Sequence, residues 1–221
     1  MLERTVANRG GKWAFETIDP RTTCHVVIDL QNGFMEEGAL LEVPVAREIV
    51  SNVNAISRAL RAAGGMVAHT RWTYRADEPQ VWPNWYQSAL GNSFSKGLRE
   101  TFPPGSHEHA LWPLLDVAQE DVVVDKTRFS AFTPGTCDLK KILDRRGIDT
   151  LIITGTLTNS CCESTARDAC QLNYKTIFVA DGTATITDAE HNGTLNNLSP
   201  VYADIMTTDK VLSVILGNRS R

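Results

Sequence analysis

The sequence lacks the features that mark membrane, secreted and nucleic-acid-binding proteins. No apolar run approaches the length of about 20 residues that spans a bilayer. The opening residues, MLERTVANRGGKW, lack the apolar core of a signal peptide. Basic residues do not predominate, because 22 Lys and Arg stand against 26 Asp and Glu, a formal net charge of −4. We therefore expect no membrane segment and no nucleic-acid partner.

Cysteine is scarce, and its spacing excludes the common disulfide and zinc patterns. The five cysteines are an odd number and form no C-x-x-C pair. Cys24 and Cys170 stand in apolar surroundings and are interpreted as free core thiols. Free thiols are typical of a reducing compartment, so the sequence predicts a cytoplasmic protein.

The chain shows no internal repeat, and it alternates strand-like with helix-like segments. We predict strands at residues 24–29, 66–72, 121–126, 150–154, 176–180 and 203–206. Helical patterns occupy residues 45–63, 139–146, 164–172, 189–201 and 210–216. This alternation predicts a single α/β domain over residues 1–221, with a parallel sheet covered by helices on both faces. Residues from 1 to about 20 are interpreted as an N-terminal extension.

Residues 73–118 break the alternation. They are rich in Trp, Pro, Gly, Asn and Ser, as in WPNWY at 82–86 and FPPG at 102–105. A connection of this length within a compact domain is usually functional. Its aromatic residues could cover a ligand site or form a subunit contact, and the sequence leaves both open.

Three reactive groups follow predicted strands. Asp29 ends the first strand, Lys126 ends the third, and Cys161 or Cys162 follows the fourth. Each alone has an ordinary explanation: a turn former, a solvated charge, or packed thiols. In a parallel sheet, however, the carboxyl ends of the strands form the ligand edge. A base, a cation and a thiol there, with a helix N-terminus expected to lower the thiol pKa, are the parts of an activated nucleophile.

Three motifs carry a family resemblance: VIDLQNGF at 27–34, KTRFSAF at 126–132 and GTLTNSCCEST at 155–165. In this order and spacing, the chain from about residue 23 onward resembles the isochorismatase-like cysteine hydrolase superfamily, and most of all its ureide and amide hydrolases. The resemblance implies a three-layer α/β/α sandwich around a six-stranded, mainly parallel sheet. It also implies a homo-oligomer, either a dimer or a tetramer.

The resemblance further implies roles for individual residues. Asp29 corresponds to the base and Lys126 to the cation. Cys161 corresponds to the nucleophile, because the family pattern T-N-x-C-x-E-[ST] places it two residues before Glu163. The family also has a cis peptide that falls here before Leu157, so that the backbone N–H groups of Leu157 and Cys161 would form the oxyanion hole.

The implied reaction is cleavage of a C–N bond in a small amide or ureide of the ureidoacrylate, biuret or N-carbamoyl type. It would proceed through a Cys161 thioester and release ammonia or an amine. We expect no cofactor and no metal, because VAHTRW at 67–72 lacks the Asp of the Asp-x-His that holds the metal of nicotinamidases. His69 is interpreted as a core or interstrand residue.

Candidate substrate contacts are less strongly specified. Phe34, Trp72 and Phe129 would be apolar walls of the pocket or plain core residues. Gln31 would offer its amide to a ureide, or serve only in the turn after the first strand. Charge recognition by Arg71, Arg75 and Glu78 competes with an ordinary role as solvated loop charges.

Two other functions remain open at this point. An isochorismatase-type vinyl-ether hydrolase would release pyruvate instead of ammonia or an amine. A non-catalytic domain would use the Cys161–Cys162 pair for redox or metal response, but it would leave Asp29 and Lys126 without a purpose.

Overall fold

A six-stranded sheet forms the centre of the computed structural model, which describes residues 5–7, 10–76, 82–89 and 91–217. The strands are β1 Thr23–Ile28, β2 Met66–Trp72, β3 Val122–Lys126, β4 Thr150–Thr156, β5 Lys175–Ala184 and β6 Asp204–Met206. Their spatial order is β3-β2-β1-β4-β5-β6, and every neighbouring pair runs parallel. The predicted parallel α/β fold is confirmed.

The central strands are apolar on both faces, as expected when helices cover both sides of a parallel sheet. All six residues of β1 are buried. Successive side chains point to opposite faces, so Val26 and Ile28 join one core cluster and Val27 joins another.

The helices divide between the two faces of the sheet. They are α1 Asn32–Met35, α2 Val50–Ala62, α3 Asn92–Thr101, α4 Leu139–Arg145, α5 Glu163–Gln171, α6 Asp188–Leu198 and α7 Thr208–Leu216. Short 3₁₀ segments lie at Pro20–Thr22 and Pro44–Arg47, and π-helical turns at Asn84–Ala89 and Thr158–Cys162. Apolar residues of α2 and α7 pack on one face of the sheet, and those of α4, α5 and α6 pack on the other. The result is three layers.

Two element boundaries differ from the predictions by more than three residues. The helix predicted from residue 45 begins at Val50, because Pro44 opens a 3₁₀ turn instead. Arg47 of this turn donates to Met35 O, at the end of α1, at 2.6 Å. Strand β5 continues to Ala184 rather than ending at residue 180. The pairing register between β4 and β5 shifts between Ile153 and Gly155. The two strands therefore pair again beyond the Asp-Gly pair at 181–182, which the sequence alone suggests is a turn.

The N-terminal extension and residues 73–118, for which the sequence predicts no regular elements, both make defined contacts in the part that the structure describes. In the N-terminal extension, the backbone N–H groups of Ala14 and Phe15 each donate to Asp204 Oδ2 at 2.7 Å, beside strand β6. Residues 73–118 contain helix α3 and the π-helical turn Asn84–Ala89. Within the described part of the chain, no helix has the length and apolarity needed to cross a membrane.

Candidate active site

Asp29 leaves strand β1 in an unusual backbone conformation. Its φ is +51°, in the left-handed region that non-glycine residues adopt uncommonly. The conformation is held from both sides, since Asp29 N–H donates to Thr70 O at 3.2 Å and Gln31 N–H donates to Asp29 O at 2.8 Å. Such conformations cost about 1–3 kcal/mol and cluster at functional sites. Here the left-handed conformation directs the Asp29 carboxylate into the protein interior at the carboxyl edge of the sheet.

The Asp29 carboxylate forms a fully buried ion pair with Lys126, which ends β3. Lys126 Nζ lies 2.7 Å from Asp29 Oδ2, and neither side chain is exposed to solvent. Lys126 Nζ also donates to the carbonyl of Arg128 at 3.0 Å. Burial opposes the charge on Lys126, but Asp29 and Cys161 outweigh it and raise the pKa of the ammonium above its ordinary value. The site therefore keeps a buried cation beside its carboxylate.

Cys161 completes the group from the turn Thr158–Cys162, which connects β4 to α5. Its side chain is buried and interacts with both Asp29 and Lys126. Burial raises the pKa of the Cys161 thiol to about 12, and the opposing effect of Lys126 does not cancel it. The expectation of a lowered thiol pKa is thus wrong, because desolvation exceeds the influence of the cation and the helix end. The thiol is protonated at neutral pH and needs a base.

Cys162 lies in a different environment. It is fully buried, its Sγ lies 3.9 Å from Thr154 O, and burial raises its pKa well above the ordinary thiol range. Cys161 and Cys162 both pack in the main core cluster, but of the two it is the Cys161 thiol that hydrogen-bonds to Asp29 and Lys126. The structure thus gives the two neighbouring thiols different surroundings, with Cys161 beside the ion pair.

The backbone before the turn is closely fitted to β1. The Thr156–Leu157 peptide is cis, and Leu157 O accepts hydrogen bonds from the N–H groups of Ser160 and Cys162 at 3.2 and 3.1 Å. Gly155 has a φ of +116°, and a Cβ there would overlap the backbone of Ile28. Glycine therefore lets β4 approach β1 directly beneath the base and the nucleophile.

The far side of the turn is braced by polar side chains that the sequence did not single out for this role. His191 Nδ1 lies 3.1 Å from Thr158 Oγ1, and Thr185 donates to Asn159 Oδ1 at 2.7 Å. These contacts tie the nucleophile turn to α6 and to the end of β5. No motif marks them, since threonine and histidine at such positions are ordinary surface and strand residues.

Two of the three predicted aromatic walls pack together, and Trp85 connects the third, Phe129, to them. Phe34 and Trp72 belong to one buried cluster, with ring centroids 6.3 Å apart. Trp85 meets Trp72 edge-on at 5.9 Å and Phe129 at 5.4 Å. Trp82 stacks on Trp85 at 4.8 Å. Tryptophans of the long 73–118 connection thus pack against side chains that adjoin Asp29 and Lys126 in the chain.

Gln31 has a structural position rather than a free amide. Its Nε2 donates to Trp72 O at 3.1 Å and to His109 O at 3.0 Å, and its Oε1 accepts from Trp72 N–H at 2.7 Å. Both amide N–H groups are thus engaged by backbone carbonyls. The side chain braces the end of β2 against the segment around His109.

The charged candidates also have protein partners. Arg71 and Arg75 both pair with Asp125, at 2.8 and 3.1 Å, while Glu78 lies outside the described residues. His69 is buried in β2 with Nε2 3.3 Å from an Asp121 oxygen, as expected of an interstrand residue. In the described ranges, no group of three or more His, Cys, Asp or Glu side chains is placed to hold a metal ion.

Fold and site together define a class: a parallel α/β protein with a buried carboxylate, ammonium and thiol at the carboxyl edge of its sheet. Residues 23–210 match the Isochorismatase domain family. The chain belongs to this family and is a hydrolase of the isochorismatase-like type.

Named relatives align over most of the chain. Ureidoacrylate amidohydrolase RutB of Agrobacterium fabrum is 28% identical over 212 residues, covering 90% of this chain and 92% of the relative. N-carbamoylsarcosine amidase of Arthrobacter sp is 30% identical over 188 residues, covering 85% and 69%. A cysteine hydrolase from Pseudomonas syringae pv. phaseolicola 1448A superposes with a TM-score of 0.79 at 27% identity, covering 90% of this chain and 95% of that structure.

Proposed function

We propose that the protein is a metal-independent amidohydrolase that cleaves a C–N bond of a small amide or ureide through a thioester on Cys161. The observation that carries the proposal is the contact of the Cys161 thiol with the buried Asp29–Lys126 ion pair, whose charged atoms lie 2.7 Å apart. A nucleophile, a base and a cation in mutual contact are what acyl transfer at a protonated thiol requires.

In the acylation step, Asp29 removes the thiol proton as Cys161 sulfur attacks the carbonyl carbon. Lys126 remains charged and stabilises the thiolate as it forms. The carbonyl oxygen becomes an oxyanion, and the backbone N–H groups of Leu157 and Cys161 are the proposed donors to it. Each such donor is typically worth about 3–4 kcal/mol at the barrier.

The tetrahedral intermediate collapses when protonated Asp29 returns its proton to the leaving nitrogen. Ammonia or an amine departs, and a thioester remains on Cys161. In the second half, Asp29 takes a proton from water, whose oxygen attacks the thioester carbonyl. The carboxylic or carbamic acid leaves, and Cys161 recovers its proton.

The ureide class is favoured by the named relatives and by the walls of the site. Ureidoacrylate amidohydrolase and N-carbamoylsarcosine amidase are both named for substrates with a carbonyl joined to nitrogen. Phe34 and Trp72 of one aromatic cluster, and Phe129, which Trp82 and Trp85 connect to it, suit a flat substrate of low charge. We therefore retain these three residues as proposed walls and assign Gln31 to bracing.

The 73–118 connection is proposed to cover the pocket of its own domain, because Trp82 and Trp85 pack on Phe129. Assembly into a homo-oligomer and a cytoplasmic location stay predictions. Light scattering coupled to size-exclusion chromatography measures the first directly.

The test is release of ammonia by purified protein from biuret, ureidoacrylate, N-carbamoyl amino acids and nicotinamide. Cys161→Ala should lose at least about 1,000-fold in turnover, since no other group supplies the nucleophile. The neighbouring Cys162→Ala variant is the matched control and should keep most of the activity. Isochorismate is included because pyruvate release would favour the vinyl-ether alternative. Full turnover in Cys161→Ala would end the proposal.

A further inference from the structure

One strand residue holds Asp29 by both its backbone and its carboxylate. Thr70 lies in β2 opposite Ile28 and is fully buried. Its carbonyl accepts the Asp29 N–H at 3.2 Å, and its hydroxyl donates to Asp29 Oδ1 at 2.7 Å. Thr70 therefore fixes the left-handed backbone and the orientation of the carboxyl group together.

The two oxygens of Asp29 are used differently as a result. Oδ1 is occupied by the Thr70 hydroxyl. Oδ2 lies 2.7 Å from Lys126 Nζ, and the carboxylate also interacts with the Cys161 thiol. Because Oδ1 is held by Thr70, Oδ2 is the oxygen left to accept the thiol proton.

We propose that Thr70 is a positioning residue, whose hydroxyl keeps Asp29 ionised with Oδ2 available to Cys161 and so sets the lowest pH at which the thiol can be activated. The inference rests on the proposed function of Asp29 as base. A hydrogen bond to a carboxylate is charge-assisted, and it favours the ionised form over the protonated form. Removing the hydroxyl should therefore weaken Asp29 as an acceptor of the thiol proton, most of all at acidic pH.

The other titratable groups that interact electrostatically with Asp29 keep their charge in the relevant range. They are Lys126, Cys161, Cys162 and Cys137. The thiols have pKa values raised by burial and the ammonium has a raised pKa, so none of them changes charge between about pH 4 and 8. His191 also contacts the nucleophile turn, with Nδ1 3.1 Å from Thr158 Oγ1, and it is unchanged in every Thr70 variant. A difference in reactivity between these variants within that window therefore reports on the carboxylate.

The experiment measures alkylation of Cys161 by iodoacetamide in the full-length protein, followed by peptide mass spectrometry from pH 4 to 8. It needs no knowledge of the substrate. Thr70→Val removes the hydroxyl at nearly constant volume. The acidic limb of its rate–pH profile, where the alkylation rate falls, should move up by about one to two pH units, with a rate about 5- to 50-fold lower at the wild-type midpoint. Thr70→Ser keeps the hydroxyl and should leave the limb in place.

Thr176→Val is the matched control, because Thr176 is also a buried strand threonine but its hydroxyl donates to Tyr174 O. It should not move the limb. If Thr70→Val does not fold by circular dichroism, Thr70→Ala and Thr70→Ser form a second pair that differs by the hydroxyl alone. A limb at the wild-type pH in the variant without the hydroxyl overturns the inference. A wild-type enzyme without any acidic limb instead overturns the proposed role of Asp29.

Discussion

Replacing Lys126 by methionine would leave the Asp29 carboxylate buried without its counter-charge. Lys126 Nζ lies 2.7 Å from Asp29 Oδ2 with both side chains fully buried. Breaking a buried ion pair from one side costs about 3–5 kcal/mol, because the remaining charge keeps its desolvation penalty. In a domain of this size, that cost lowers the melting temperature by roughly 6–20 °C. Asp29→Asn should destabilise the protein by a similar route.

The double variant Asp29→Asn/Lys126→Met removes both charges. It should therefore recover much of the stability lost in either single variant, although it remains inactive. Urea unfolding of the four proteins at pH 7 gives a double-mutant cycle with an expected coupling of at least about 2 kcal/mol. Single variants within about 1 kcal/mol of wild type, or additive losses, would refute the claim that the pair is buried and mutually dependent.

Two further predictions concern the backbone and the thiols. Gly155→Ala should destabilise the protein by well over 1 kcal/mol, because the added Cβ overlaps the β1 backbone. The control is Gly135→Ala, which also has a positive φ (+77°) but has no atom near its Cβ position, and it should cost about 1 kcal/mol. Thermal unfolding of both variants checks this, and equal losses would contradict it. The second prediction is that the free energy of unfolding falls above about pH 9. Burial raises the pKa of three thiols, Cys24, Cys161 and Cys162, above the ordinary value near 9. These thiols therefore ionise at a lower pH in the unfolded chain than in the folded protein, which favours unfolding as the pH rises. Each contributes about 1 kcal/mol of loss by pH 10, and urea unfolding of a Cys24→Ala/Cys162→Ala variant should show a shallower decline than wild type.

Much of the fold follows from local patterns in the sequence. The continuous apolar run in β1 and the alternation of strand and helix periods are properties of short segments, and they predict a covered parallel sheet. The position of the carboxyl edge then brings Asp29 and Lys126 to one place, since parallel strands end at the same side. The observed ion pair between these two residues agrees with that reasoning.

Helix α3 was not predicted because its stability is tertiary. Its sequence, NSFSKGLRET, has few apolar residues and an internal glycine. Leu98 is buried in the aromatic cluster, and Gly97 allows Leu40 to approach so closely that a Cβ would lie 2.9 Å from its side chain. Such packing partners lie far apart in the chain, so periodicity alone does not indicate the helix.

The pKa of the site thiol also could not be predicted from local sequence, because it depends on how deeply the folded chain buries the side chain. The position of Cys161 before a helix predicts a lowered thiol pKa, but burial of the side chain reverses the direction. Thr70 gave no signal, because a threonine in a strand is ordinary. Its function depends on the register that sets β2 beside β1 and on the left-handed turn at Asp29.

The most direct test of the central claim is trapping of the acyl group by hydroxylamine. A thioester on Cys161 should be attacked by hydroxylamine as well as by water, giving an N-hydroxy product. Two substrates with the same acyl group and different leaving amines should give the same ratio of N-hydroxy product to acid, because both pass through one intermediate. A ratio that depends on the leaving amine, or the same products from Cys161→Ala, would contradict covalent catalysis by this cysteine.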